Sequence, residues 1–468
     1  MFKARLLLCC VVILLSWDID AQQTRPLVSD SVLVIDQIVP KGNKITRNKI
    51  ILRELEFKTG DTLFSHQLIT KINQSRQNLL NLGLFNFVEI IPQRHDFNKI
   101  TVLIRVTERW YIWPIPILTF ADRNFNAWWK NRDFTHTNFG LDIRNKNFRG
   151  RRENLDLIIQ GGYDKSLQLE WLAPSVNKKM TWGIGIWGGV IFNHETDYDL
   201  KNNKLVYYAD PHHYVRKYYF AQLSAYNRPK FHHIHSFFLS YKQYRFADSL
   251  LKLNPHFTYG ESKFTFLSLE YNFKLDHRDF APYPLHGYYF EADALKEGLG
   301  LISKTINSYS FSLIFDQYLT LHKKWYFAYN LSVKTSNSSQ PYFLQQGLGY
   351  KPMNLRGYQL YVINGSALAM VRSNLKYNLI PKTIGHIPFV KSEKFNKFFY
   401  ALYVNLFFDA GYVSNHQAVI PQPLNNRLLY GTGIGLDYVT YYDVVFRIEY
   451  TLNREGEKGF FISFVAPI

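Results

Sequence analysis

The sequence predicts a mainly β protein: a sixteen-stranded antiparallel transmembrane β-barrel preceded by a small α/β domain of order β-α-α-β-β. Three observations carry this. The 468-residue chain is 17% aromatic, with Phe 37, Tyr 33 and Trp 9, as the interfacial girdles of a membrane barrel require. After residue 21 no stretch approaches the roughly 18 consecutive apolar residues of a membrane-spanning helix, and the best candidate, Trp110 to Ala121, is broken by Pro114 and Pro116. From Arg109 onward, segments of about 10 to 14 residues alternate apolar and polar positions between turns, the pattern of strands with one face toward lipid and the other toward a polar lumen.

At 47% hydrophobic and 20% charged, the chain is not disordered by composition. Lys3 and Arg5 precede an apolar run from Leu6 to Leu15, and Ala21 follows Ile19 at the spacing of a signal-peptidase site. Residues 1–21 are therefore expected to be a signal peptide and 22–29 a linker. Both cysteines, Cys9 and Cys10, would leave with the signal, which removes thiol and disulfide chemistry from the mature chain. The net charge of +18 suits anionic lipid headgroups or an acidic client. Nucleic acid is excluded as a partner of an exported chain.

Residues 30–108 form the predicted α/β domain. Val32 to Ile35 reads as a strand and Arg47 to Leu55 as a short helix. Ser65 to Leu82 carries Leu68, Ile69, Ile72, Leu79 and Leu80 near a helical period, with Ser65 as N-cap and Gly83 as stop. Phe87 to Ile91 and Ile100 to Val106 read as two strands joined by a polar turn.

Residues 109–468 form the predicted barrel. Thr265 to Leu275, for example, alternates Leu267, Leu269, Tyr271 and Phe273 with Ser268, Glu270, Asn272 and Lys274. Sixteen strands are expected to start near residues 110, 136, 154, 165, 180, 214, 234, 264, 287, 307, 325, 366, 399, 428, 443 and 459. An even number places both ends on one side of the membrane. Longer connections (193–213, 248–263, 336–365) alternate with shorter ones (149–153, 322–324, 441–442), and 381–398 is long on the wrong side.

Four motifs stand out. Leu355-Arg356-Gly357-Tyr358 lies in the sixth long connection. In Phe408-Asp409-Ala410-Gly411, alternation turns Tyr403, Asn405, Phe407 and Asp409 inward; an inward carboxylate needs a partner, and Arg356 is the candidate. Asp276-His277-Arg278-Asp279 and Pro284-Leu285-His286-Gly287 share a turn, and the chain ends on Gly459-Phe460-Phe461-Ile462-Ser463-Phe464 before Val465-Ala466-Pro467-Ile468.

With these motifs the chain resembles the BamA/TamA superfamily of outer-membrane assembly and secretion proteins, and residues 30–107 resemble a polypeptide-transport-associated (POTRA) domain. The resemblance implies that Leu355, Arg356, Gly357 and Tyr358 correspond to the family's Val-Arg-Gly-Phe loop motif. It likewise implies that Asp409 and Gly411 belong to a Phe-x-Asp-x-Gly strand motif whose acid pairs with the loop arginine. Asp276, Arg278, Asp279, Pro284 and Gly287 match a periplasmic-turn signature, which also reads as ordinary hairpin chemistry. Gly459, Ile462 and Phe464 are similar to the signal recognised when barrels are inserted. Two departures matter: Pro467 cannot donate to a ladder, and Asn374 stands, between Arg372 and Lys376, where the family often has an acid. The loop lock is therefore expected to rest on Asp409 alone.

Enzyme signals fail. Gly183-Ile184-Gly185-Ile186-Trp187-Gly188 lies in a strand pattern with no helix behind it, and His212, His213, His232, His233 and His235 read as turn histidines rather than metal ligands. No enzymatic activity, cofactor or metal is expected. The resemblance implies a bacterial outer-membrane location with the POTRA domain in the periplasm, and a role in inserting, assembling or translocating other polypeptides. The implied partners are outer-membrane lipids, unfolded outer-membrane or secreted clients held by POTRA and barrel seam, and periplasmic chaperones or lipoproteins. The alternatives are a passive anion-preferring channel or a surface structural barrel.

Overall fold

The computed structural model describes residues 31–464 except 121–136, 259, 338–339, 346, 351, 416–421 and 441. The signal peptide and the linker expected from the sequence, with Cys9 and Cys10, lie outside the described residues.

The N-terminal unit comprises β1 (Val32–Lys41), α1 (Asn48–Arg53), β2 (Thr62–Phe64), α2 (Ser65–Asn81), β3 (Phe85–Arg94) and β4 (Lys99–Glu108), with the sheet ordered β2-β1-β4-β3. β1 runs parallel to β4, and the other neighbours are antiparallel. Leu68 and Leu79 of α2 pack with Ile50, Ile51 and Phe57 against Ile35, Val102 and Ile104 of the sheet, the burial that stabilises so small a unit. Two readings of α2 are corrected. Ser65 is the first helical residue, preceded by Phe64, whose N–H is capped by the Gln67 side chain at 3.3 Å. Ile69 lies on the exposed side of the helix. Gly83, with φ +69°, takes the left-handed conformation just beyond the helix end.

The barrel strands are β5 (Ile112–Phe120), β6 (Thr137–Phe148), β7 (Glu153–Gly162), β8 (Lys165–Ala173), β9 (Trp182–Asn193), β12 (Arg216–Lys230), β13 (His233–Phe246), β14 (Lys263–Asp276), β15 (Gly287–Glu297), β16 (Ser308–His322), β17 (Trp325–Ser336), β18 (Ala367–His386), β19 (Lys397–Ser414), β20 (Leu428–Thr440), β21 (Val445–Asn453) and β22 (Lys458–Ser463). They form one sixteen-stranded sheet in which each strand pairs with its sequence neighbour. The exception is the step from β9 to β12, where the hairpin β10 (Glu195–Lys201) and β11 (Lys204–Ala209) leaves the sheet. The long connection 193–213 expected from the sequence thus contains this hairpin. Its turn is Asn202-Asn203, both with left-handed φ of 53° and 58°, as asparagines in a two-residue hairpin turn allow. Along β19, Leu406 and Phe408 face outward while Asn405, Phe407 and Asp409 are buried inside. The long connection at 381–398 resolves into a longer β18, a turn and the short helix α4 (Glu393–Asn396); a further short helix, α3 (Asp248–Leu253), follows β13.

The N-terminal unit lies across one mouth of the barrel. Arg47 N–H donates to Gly150 O in the β6–β7 turn at 3.0 Å, and Asn81 bridges Arg278 O and Ala281 N–H in the β14–β15 turn. Asn86 donates to Lys394 O in the β18–β19 turn, and Arg109 clasps Asp443 of the β20–β21 turn at 2.6 and 2.9 Å. Met180 of the β8–β9 turn joins the hydrophobic core of the unit. Trp110 N–H donates to Tyr442 Oη at 3.0 Å and the Trp113 ring meets Tyr442 edge-on at 5.2 Å, so the sheet curls until β5 reaches the last turns. Among the described residues no ladder joins β5 to β22.

Candidate functional site

The chain between β17 and β18, residues 337–366, folds back into the barrel. Leu348 and Ile363 exchange backbone hydrogen bonds at 3.0 and 2.8 Å and close its neck. Leu348, Met353, Leu355, Tyr358 and Ile363 then pack on Leu368, Met370, Val413 and Leu429 of the inner wall. Gly411 borders this packing: a Cβ there would sit in ordinary van der Waals contact, 3.4 Å from Leu348 Cδ1 and 3.5 Å from Leu355 Cδ2.

That packing aims Arg356 at the wall. Its Nε and Nη2 donate to Asp409 Oδ2 and Oδ1 at 2.8 and 2.5 Å, its backbone N–H reaches Oδ2 at 3.2 Å, and its guanidinium lies 4.0 Å from the Phe407 ring centre. Nη1 donates to Asn374 Oδ1 at 2.7 Å and Glu449 Oε1 at 3.4 Å, and Nη2 to Ser373 O at 3.1 Å. The expectation that Asp409 alone holds the loop is thereby corrected. Asn374 accepts without charge, and the second acid comes from β21. Glu449 shares the buried face of β21 with Arg447 and Thr451, but no sequence rule brings β21 to this loop. Gly357, with φ +88°, accepts from Asn453 Nδ2 through its carbonyl at 2.9 Å. A Cβ on Gly431 would lie 2.1 Å from Arg356 O, so β20 must be bare there.

A second buried pair was missed by the sequence reading. Arg447 Nε and Nη2 donate to Asp437 at 2.7 and 3.0 Å, and Tyr283 Oη donates to the same carboxylate at 2.8 Å. Lys376 is buried beside them with its ammonium 4.5 Å from the Tyr283 ring centre. Tyr283 arrives on the β14–β15 turn, whose signature residues hold the turn itself. Arg278 donates to Asp276 at 2.8 and 2.6 Å, and Asp279 Oδ1 accepts from the Leu285 and His286 N–H groups at 3.0 and 3.2 Å. Pro284 is buried, and Gly287 at φ +100° would place a Cβ 2.0 Å from His277 O. Asp276, Arg278, Asp279, Pro284 and Gly287 are thus at the mouth covered by the N-terminal unit, away from Arg356. Gly459 and Ile462 lie on β22, with Phe464 just past its end; Ile462 and Phe464 point outward, and Phe464 packs on Phe446 at 5.2 Å. Val465 to Ile468, with Pro467, lie outside the described residues.

At the covered mouth, the Glu54 carboxylate receives Arg228 Nη1 and Nη2 at 2.6 and 2.8 Å and Arg53 Nη1 at 2.9 Å. Burial by itself would raise the Glu54 carboxyl; Arg228, aided by Arg152 and Arg53, outweighs it and holds the group below the usual carboxylate range. Burial, then the charge of Arg228, pushes the Arg152 guanidinium down to about 10. Part of the net positive charge is therefore engaged in this docking. At the opposite mouth, Asn203 is fully buried between loops: Val362 N–H donates to its carbonyl at 2.8 Å, and Leu424 N–H to its Oδ1 at 2.9 Å.

Residues 33–109 match the family model of the POTRA domain, described as a surface antigen variable number repeat. No curated protein matches the sequence. Among solved structures, CdiB from Escherichia coli is similar at 11% identity and a TM-score of 0.51, over 93% of this chain and 74% of that one, a likeness in fold. BamA from Haemophilus ducreyi lacking POTRA domains 1–3 matches at 15% identity and a TM-score of 0.47, over 92% of this chain and 83% of that one. The chain thus carries a POTRA domain over residues 33–109, ahead of a sixteen-stranded antiparallel barrel similar in fold to that of CdiB.

Proposed function

We propose that the protein assists insertion, assembly or translocation of other polypeptides at the outer membrane. The observation that carries this reading is the seam. Among the described residues β5 and β22 share no ladder, and β22 pairs with β21 over six residues only, Arg447 to Leu452 against Ser463 to Lys458. Backbone groups along such edges are a template for an incoming strand, which gains main-chain hydrogen bonds without sequence specificity. Pro114 and Pro116 fit an edge strand, where a missing N–H need not face a ladder. In the POTRA domain, the three-residue β2 is likewise an edge strand.

The rival channel reading is weakened by the loop held inside the barrel and by the POTRA domain across the mouth. Depletion of the protein, followed by quantitative comparison of outer-membrane and secreted proteins, is the test. Loss of a defined set of them is expected. An unchanged set, accompanied by a steady anion conductance of the purified protein, would overturn the proposal in favour of the channel.

A further inference from the structure

At the foot of β5 and β6, where the POTRA domain meets the barrel, lies a cavity of about 250 Å³ whose lining includes the apolar Ile45, Trp110 and Ile112 and the basic Arg149 and Lys394. Its position relative to the bilayer follows from strand register. Ile112 lies opposite Asn145, and the same face carries Pro116 opposite Leu141 and Leu118 opposite Phe139. Leu118, Leu141 and Phe139 are exposed, so this is the lipid-facing stripe, and the cavity closes its periplasmic end. Trp110 and Ile112 remain about half exposed within it, the placement of interfacial anchors.

The β6–β7 turn adds a second observation. Arg149 has φ 57°, beside Gly150 at 68° and Arg152 at 60°, a backbone region that suits Gly or Asn and is costly for a long side chain. This turn fixes where the Arg149 guanidinium stands. That group is fixed by Glu153, at 2.8 Å from Nε and 2.7 Å from Nη2, and lies 5.2 Å from the Phe148 ring centre. The other oxygen of Glu153, Oε1, forms an ion pair with Arg151 Nε at 3.2 Å. One carboxylate serving two guanidiniums leaves the turn basic at the depth of the lipid headgroups.

We propose that this cavity binds one anionic phospholipid of the periplasmic leaflet, with its upper acyl chain against Trp110 and Ile112 and its phosphate drawn to Arg149 and Lys394. The occupant follows from the combination: a recess that borders the lipid-facing stripe through Ile112 and also holds the basic side chains of Arg149 and Lys394 matches a molecule with an apolar tail and an anionic head. Neither a soluble anion nor a neutral lipid uses both halves.

The test is native mass spectrometry of the full-length protein released from nanodiscs containing equal phosphatidylglycerol and phosphatidylcholine. One retained phosphatidylglycerol is expected, in preference to phosphatidylcholine. The variant Arg149→Asn combined with Lys394→Gln keeps a residue tolerant of left-handed φ, so its heat-modifiable gel mobility should be unchanged while the preference falls roughly tenfold. Ile45→Trp, which fills the recess without altering charge, should abolish retention of either lipid. Equal retention of the two lipids by the unaltered protein, an undiminished preference in the double variant, or undisturbed retention in Ile45→Trp would each overturn the proposal.

Discussion

Glu54 of the POTRA domain and Arg228 at the end of β12, 174 residues apart in the chain, form a two-pronged ion pair with both oxygens engaged at 2.6 and 2.8 Å. The carboxylate is almost fully buried and is the counter-charge for Arg53, Arg152 and Arg228 together. Removing one partner of a buried pair leaves the others uncompensated, at a cost of about 3 to 5 kcal/mol. Glu54→Gln should therefore release the POTRA domain from the mouth while the barrel stays folded. Amide exchange in α1 and in the β6–β7 turn should rise together; protection equal to that of the unaltered protein would show that the remaining contacts suffice.

The same pair gives docking a pH dependence. The Glu54 pKa is lowered in the docked state, so its contribution is fully present above the ordinary carboxylate pKa and is lost as the pH falls through the lowered value. Docking should be flat from neutral pH down to about pH 5 and weaken only below the usual carboxylate range. Glu54→Gln should remove that acid transition, read by the same exchange measurement as a function of pH.

Arg356→Ala should loosen residues 337–366 without unfolding the barrel. Five side-chain hydrogen bonds, to Asp409, Asn374, Glu449 and the Ser373 carbonyl, disappear at once, and Asp409 is left buried without its ion-pair partner. Heat-modifiable mobility should persist while proteolysis of the loop accelerates. In a double-mutant cycle with Asp409→Ala the effects should be strongly non-additive, with a coupling of about 1 to 3 kcal/mol. Glu449→Gln should couple more weakly, because its contact is 3.4 Å.

Gly431→Ala tests the same lock by shape. The added methyl would lie 2.1 Å from Arg356 O, so β20 or the loop must shift. Loop proteolysis should rise as in Arg356→Ala with no change in charge; an unaffected loop would mean that β20 yields freely.

Asn203→Gly keeps the left-handed turn of the β10–β11 hairpin and removes only the side chain. The Leu424 N–H then loses a buried acceptor at 2.9 Å, a cost of about 1 to 3 kcal/mol. Exchange at Leu424 should quicken, with little change in Val362, whose acceptor is the Asn203 backbone carbonyl at 2.8 Å.

The number and positions of the sixteen barrel strands and the facing of residues such as Phe407 and Asp409 were legible in the sequence by itself, whereas the short β2 and the β10–β11 hairpin were not. Period-two alternation is local, and a carboxylate or an aromatic ring takes the lumen or the lipid according to its parity along the strand. The pairing of Arg356 with Asp409 came from resemblance to a family. Only the tertiary structure brought Glu449 to the same guanidinium, paired Arg447 with Asp437 beneath Tyr283, inserted Asn203 between two loops and set Glu54 against Arg228. Each of these joins side chains whose separation in sequence exceeds any helical or strand period. Arg447 and Asp437 are register partners of the β20–β21 hairpin, whereas the other meetings depend on loops turning inward and on the POTRA domain docking at the mouth, where buried charge must find a partner from whichever element lies opposite.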